Sequence, residues 1–241
     1  MVNQENTSLE IGNCKTALAI IPIGATEQHA RHLPVMTDAF IADKVCAEAA
    51  KQIKAYWLPV QPFGTSLENM DGPGTVTLRP LTLRSVVYDL VDSLYRQGYQ
   101  KIFVINFHGG NFILKPTIRE LNYDRKEGTV FYLDPWAKLT AGPSFDLHAG
   151  FAETALMRYL WKDNLKCKHL RAVKPVHQRS DLDWIGMVGA TKGAGYWGDP
   201  SRATPAEGKR IFEQLAADTV AGIQRILKLH ARKPTKKSRK P

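Results

Sequence analysis

KIFVINF, residues 101–107, is apolar at successive positions and so on both faces that a strand presents. Such a run has to be covered on two sides, and the flanking chain supplies the covers. LTLRSVVYDLVDSLYRQG (81–98) repeats apolar side chains at helical spacing and stops at Gly98. A further helix is expected from about Phe112. The same alternation runs through the chain. ALAIIPIG (17–24) reads as a buried strand, Asp38 to Ile53 as a helix, and YWLPVQPFG (56–64) as a second extended run. TVFYLD (129–134) reads as a strand, FAETALMRYLWKD (151–163) as a helix, and Pro205 opens a last helix to about His230. Strands separated by helices imply βαβ units. The expected fold is α/β, a three-layer α/β/α arrangement around a mainly parallel sheet, as a single domain over residues 1–230.

Charge and cysteine content narrow the class. The formal charge is +10, but six of the basic residues fall in ARKPTKKSRKP at the end, leaving +4 for the rest. Residues 231–241 therefore read as a basic, disordered tail, solvated rather than bound to nucleic acid. Cys14, Cys46 and Cys167 are scattered and form no C-x-x-C pair, which argues against a disulfide framework and a thiolate zinc site. The start, MVNQENTSLEIGNC, lacks the basic-then-apolar order of a signal peptide, and no apolar run is long enough to span a bilayer. A cytoplasmic protein without membrane partners is expected.

Open α/β sheets bind ligands beyond the carboxyl ends of their strands. Distinctive polar segments fall there: GATEQH after the first strand, GTSLEN after the second, HGGN after KIFVINF and DPW after TVFYLD. Glu27 and His29 are two apart, so in extended chain both face one side. Asp38 follows Pro34, where Thr37 can cap the next helix and leave both aspartate oxygens free to bridge. His108 ends its strand, Gly109 and Gly110 allow close backbone approach, and Asn111 can cap the following helix. In DLHAGFAET, His148 in the loop and Glu153 in the first helical turn can face one cleft. Glu27, His29, Asp38, His108 and Glu153 offer only nitrogen and oxygen, which suits zinc, manganese or, as a further candidate, iron. Three carboxylates suit two divalent ions better than one.

These motifs resemble those of the creatininase (creatinine amidohydrolase) family over about residues 16–225. The resemblance rests on GATEQHARHLPVMTD, GTSLENMDGPGT, NFHGGN, HAGFAET and GDPSRAT, in that order. It implies a creatininase fold and a two-metal hydrolase. Glu27 and His108 would hold one ion, His29 the other, and Asp38 would bridge them. Creatininases take a further carboxylate two residues past the histidine of the third motif. Here that position is Gly110, so Glu153 is expected to supply it. The family's active-site histidine matches His148. The resemblance also implies a homo-oligomer, often a hexamer.

The implied chemistry is hydrolysis of a small-molecule amide. Paired ions make a bridging hydroxide available near neutral pH, it attacks the carbonyl, and the N–H groups near Gly109 and Gly110 are candidate oxyanion donors. His148 would carry a proton to the leaving nitrogen. Ser66 is a candidate substrate contact. His32 either contacts substrate or orients a ligand, and the orienting role is preferred. Trp136 and Trp197 can line the cleft without taking part in the chemistry. Gly110, Phe107 beside His108, Ala30-Arg31 in place of Gly-Pro and Asn69 in place of a histidine depart from the family pattern. They point to the H-G-G-N branch, with formamide deformylases and a maturation peptidase, rather than to a strict creatininase. A cyclic amide or formamide is the expected substrate. The alternatives are a peptidase-like maturation enzyme and a catalytically silent binding protein whose basic tail contacts nucleic acid.

Overall fold

In the computed structural model the described residues are 2–139, 146–161, 165, 169–174 and 186–231. In chain order they form β1 (Val2–Asn3), α1 (Ser8–Asn13), β2 (Leu18–Ile23), α2 (Thr37–Ile53), β3 (Tyr56–Trp57) and α3 (Pro80–Arg96). There follow β4 (Lys101–Asn106), α4 (Leu114–Asp124), β5 (Thr129–Leu133), α5 (Phe151–Leu160), α6 (Met187–Ala190) and α7 (Pro205–Ala231). The five strands make one sheet in the order β1-β3-β2-β4-β5, and every pairing is parallel.

The two central strands explain the layers. Ile20, Phe103 and Ile105 point to one face and pack with residues of α2, α5 and α7. Ala19, Ile21, Ile23, Ile102 and Val104 point to the other and pack with Leu83, Val87 and Val91 of α3 and Leu114, Ile118 and Leu121 of α4. A side-chain period of two thus turns one apolar run into two cores. α7 lies against α5 and α2 on the first face. Gly98, at φ +88°, takes the left-handed turn that ends α3.

Several boundaries differ from expectation for local reasons. Within 56–64 only Tyr56–Trp57 joins the ladder, followed by a lone bridge from Gln61 to Ile23. Pro59 and Pro62 remove backbone donors there. α4 begins at Leu114, two residues after Phe112, because Asn111 is spent on tertiary contacts instead of capping. α2 begins at Thr37, whose hydroxyl donates to the Pro34 carbonyl rather than capping the helix. β1 and α1 carry no apolar period strong enough to announce them; α1 is marked by a Thr7–Glu10 capping box. The glycine-rich stretch from Gly186 holds a packed one-turn helix, α6, between bends at Gly186, Gly193, Gly195 and Gly198. Cys167, His177 and the tail beyond Ala231 lie outside the described residues. No helix among the described residues is long and apolar enough to cross a membrane.

Candidate metal centre

The site forms where β2, β4 and α5 bring their ends together. Gly24 closes β2, and a side chain on it would strike the backbone of Asp38 and Ala39. That close approach sets the start of α2 beside the strand end and turns Asp38 inward. Glu27, His29, Asp38, His108 and His148 are all buried, and Glu153 is half-buried. Ala30, at φ +57°, adopts a left-handed conformation that the glycine of the resembling motif takes without strain.

Asp38 divides its oxygens. Oδ1 lies 3.2 Å from His29 Nε2 and Oδ2 lies 3.0 Å from His108 Nδ1. Glu27 Oε1 lies 3.4 Å from His108 Nδ1 and 3.4 Å from His148 Nδ1. Glu153 Oε2 lies 3.7 Å from His29 Nε2. The rings of His29 and His148 are 4.5 Å apart, centre to centre. Three sets could each hold an ion: Glu27 with His29 and His148, Glu27 with Glu68 and His108, and His29 with Asp38 and Glu153. All five expected ligands therefore converge, and so does His148, which the sequence reading reserved for proton transfer.

The outer nitrogens of these rings are tied to backbone carbonyls. His29 Nδ1 lies 3.1 Å from Glu27 O, His108 Nε2 2.9 Å from Thr65 O, and His148 Nε2 2.8 Å from Gln28 O. A carbonyl accepts only, so the ties on His29 and His108 put the ring proton on the outer nitrogen and leave the inner lone pair facing carboxylates, whereas His148 Nε2 also meets the Gln28 side-chain amide and finds a partner in either tautomer. Acceptors then face acceptors, an arrangement that a proton or a metal cation resolves. Although they sit within ion-pair distance of their neighbours, His29 Nε2 and Asp38 Oδ2 complete no hydrogen bond of proper geometry among the described residues. The donor set thus fits a divalent cation.

The electrostatics agree. Burial pushes His29 down, but the negative charges of Asp38 and Glu153 beside it outweigh burial and hold the imidazole well above its ordinary value. His108 is likewise depressed by burial and raised further by Glu27 and Asp38, with a net upward shift. Glu27 is raised by burial yet ends below the usual carboxylate range, chiefly through His108. Asp38 follows, lowered against burial by His29 and His108. The cluster favours positive charge at its centre.

The remaining expected residues have clear placements. Ser66 Oγ lies 3.2 Å from His108 Nε2 and is fully buried, so it touches a candidate ligand. His32 Nε2 lies 3.1 Å from both Ala149 O and Thr154 Oγ1, bracing the turn between His148 and Glu153. Burial lowers His32 to about 4. Trp136 donates to Phe107 O. His169 and His230 are exposed. Asn111 ties the strand-end loops together by accepting from Thr65 N and donating to Gly24 O and Asn106 Oδ1.

Three residues inside quoted motifs were not singled out as site residues. Gln28 touches His148, and Asn69 donates to Glu27 Oε2 at 2.7 Å. Glu68 Oε1 lies 3.5 Å from His108 Nε2, in space that a side chain on Gly110 would invade. Their only local signal is membership of the motifs themselves.

Comparisons place this geometry among known proteins. The mycofactocin precursor peptide peptidase of Mycolicibacterium smegmatis is 30% identical over 217 residues, covering 86% of this chain and 85% of the relative. The creatinine amidohydrolase of Pseudomonas putida is 30% identical over 175 residues, covering 63% of this chain and 66% of that one. A crystal structure of creatinine amidohydrolase superposes with a TM-score of 0.80 at 24% identity, over 93% of this chain and 97% of that chain. Further creatininase structures of the same fold are named as a manganese form, TM-score 0.81, and as a zinc–zinc form of a mutant, TM-score 0.79. The family described as creatinine amidohydrolase matches residues 4–223, and with that span and these relatives the chain belongs to the creatininase family.

Proposed function

We propose that this chain is a metal-dependent amide hydrolase that works with two divalent ions, zinc or manganese. The observation that carries the reading is the set of inward histidine lone pairs facing Glu27, Asp38 and Glu153 across a buried cleft. Glu27 and His108 would hold one ion, His29 and Glu153 the other, and Asp38 both, since its two oxygens already face different histidines. When bound, such ions polarise a carbonyl and make hydroxide available near neutral pH.

The chain's own residues do the rest. His148 Nδ1 faces the same cleft as Glu27 Oε1, so it can pass a proton to the departing nitrogen. His32 keeps the His148–Glu153 turn in place through Ala149 and Thr154. Ser66 and Thr65 fix the His108 ring from its outer side, and Ser66 is a candidate substrate contact once that ring is held.

For the substrate, a cyclic amide or formamide fits the creatininase relative. A peptide bond is the second reading, favoured by peptidase relatives that match 86% of the chain against 63% for the creatininase. The test is a screen of lactams, formamides and short peptides with Zn²⁺ or Mn²⁺ added, each run again with chelator. Chelator-sensitive hydrolysis of one class is expected. A protein that neither binds these ions nor hydrolyses any of the three classes would overturn the reading.

A further inference from the structure

Glu27 and His148 are joined by a second route besides their direct approach. Asn69 Nδ2 donates to Glu27 Oε2 at 2.7 Å, and Asn69 Oδ1 accepts from Gln28 Nε2 at 2.7 Å. Gln28 Nε2 lies 3.0 Å from His148 Nε2, and His148 Nδ1 lies 3.4 Å from Glu27 Oε1. The four side chains close a ring. All four residues are buried, where an unpaired polar group would be costly.

The ring has a direction. A carboxylate only accepts, so the amide nitrogen of Asn69 must face Glu27 and its oxygen must face Gln28. The Ala30 N–H only donates, and it meets Gln28 Oε1 at 3.0 Å, which turns Gln28 Nε2 toward Asn69 and His148. Each amide orientation is therefore dictated from outside the pair. With Oε2 engaged by Asn69, Glu27 is left with Oε1 facing His108 and His148. At the other end Gln28 offers His148 Nε2 both a side-chain donor and, at 2.8 Å, its own backbone carbonyl, so either ring tautomer finds a partner. Thr75 braces the backbone of both residues, donating to the Asn69 carbonyl at 2.8 Å and accepting from the Gln28 N–H at 2.9 Å.

We propose that Gln28 and Asn69 are positioning residues, an amide pair that holds Glu27 to one-oxygen coordination and locks His148 to the same frame. The inference rests on the two-ion reading of the site and assigns the pair to the ion on the Glu27–His108 side. Among the described residues neither side-chain amide is hydrogen-bonded to His29 or Glu153, which would hold the other ion.

The full chain, stripped of metal, is titrated with Zn²⁺ against a chromogenic chelator, and the visible spectrum is recorded after loading with Co²⁺. Asn69→Leu keeps the volume but removes both hydrogen bonds. It should weaken one of two binding steps by about 10–100-fold, the usual effect of losing an outer-shell partner, and leave the other near its wild-type value. Its Co²⁺ bands should shift, since Glu27 is free to chelate through both oxygens. Gln28→Glu turns the central donor into an acceptor facing Asn69 Oδ1 and His148 Nε2, and should weaken the same step. Two folded variants with wild-type steps and spectra would overturn the inference alone. So would equal weakening of both steps in proportion to a lower melting temperature, because that is what a merely structural network does. A wild-type protein that binds no Zn²⁺ sinks the reading of the site and this inference with it. Should neither variant fold, the half-buried Thr75→Val, which frees the backbone that carries both side chains, is held to the same criteria.

Discussion

Asp38, Glu153 and His148 sit within one cleft, yet their geometry asks different things of them. Glu153 reaches His29 from α5, so Glu153→Gln replaces an anionic donor by a neutral one and should cost part of the bound metal. His148→Ala should keep the metal and slow turnover by roughly 10²–10⁴-fold if the ring is a general acid. Metal content and rate on both variants decide between the roles. Loss of an ion from His148→Ala alone would make His148 the ligand, a position its set with Glu27 and His29 allows. His32 offers a separate test. Its imidazole is buried and lowered to about 4 in the fold, against an ordinary value near 6.5. A depressed value means that the neutral ring contributes stability above about 6.5, and that this is lost as pH falls through about 4. Chemical unfolding of wild type and His32→Gln between pH 7 and pH 4 should show the wild-type advantage shrinking by at most about 3 kcal/mol. A difference that stays constant across this range would show that His32 is not the neutral brace described.

At the scale of elements, α5 carries Glu153 and its placement depends on its neighbours. Its first free N–H groups, on Phe151 and Ala152, are accepted by the Asp146 carboxylate, because Gly150 supplies no side-chain cap. Burial lifts that carboxylate to about 6 against the pull of these hydrogen bonds. On its outer side α5 meets α7 at Gly208, where a side chain would run into the Ala155 carbonyl and Tyr159. Gly208→Ala therefore sets two effects against each other. Helix propensity favours alanine by about 1 kcal/mol, whereas overpacking against backbone costs about 1–3 kcal/mol. The nearest obstacle is backbone, which yields little, so net destabilisation is expected, with weaker metal binding as α5 shifts. A melting temperature at or above wild type would show that the two helices separate freely.

For the whole molecule, candidate ligands from the ends of β2 and β4, the start of α2 and the first turn of α5 converge, so an ion held there would tie the helical layer of α2 and α5 to the sheet. Binding to the folded state alone stabilises by mass action, about 2.7 kcal/mol per site at a hundredfold excess over Kd. Chelator should lower the melting temperature, and Zn²⁺ or Mn²⁺ should restore it, whereas Ca²⁺, which prefers more oxygen ligands, should do so poorly. An unchanged melt after verified removal of metal would argue that the carboxylates and histidines are satisfied by protons alone.

How much of this was legible in the sequence follows from the range of each interaction. The unbroken apolar runs KIFVINF and ALAIIPIG foretold strands buried on both faces, and the 3.6 period of 81–98 foretold α3, because both patterns show within a few residues. The convergence of Glu27, His29, Asp38 and His108 was legible because strand ends in a parallel sheet share an edge, whatever the strand order. The tertiary structure alone decided that order, β1-β3-β2-β4-β5, and the short reach of β3. It alone turned Asp38 so that its oxygens part between His29 and His108, and brought His32 to Ala149 and Thr154. The ring through Gln28 and Asn69 spans 41 residues at one contact and 120 at another. Contacts of that span leave no periodic trace in a chain; they exist only after the sheet has set the loops side by side, when each buried donor must find whatever acceptor the fold has brought near.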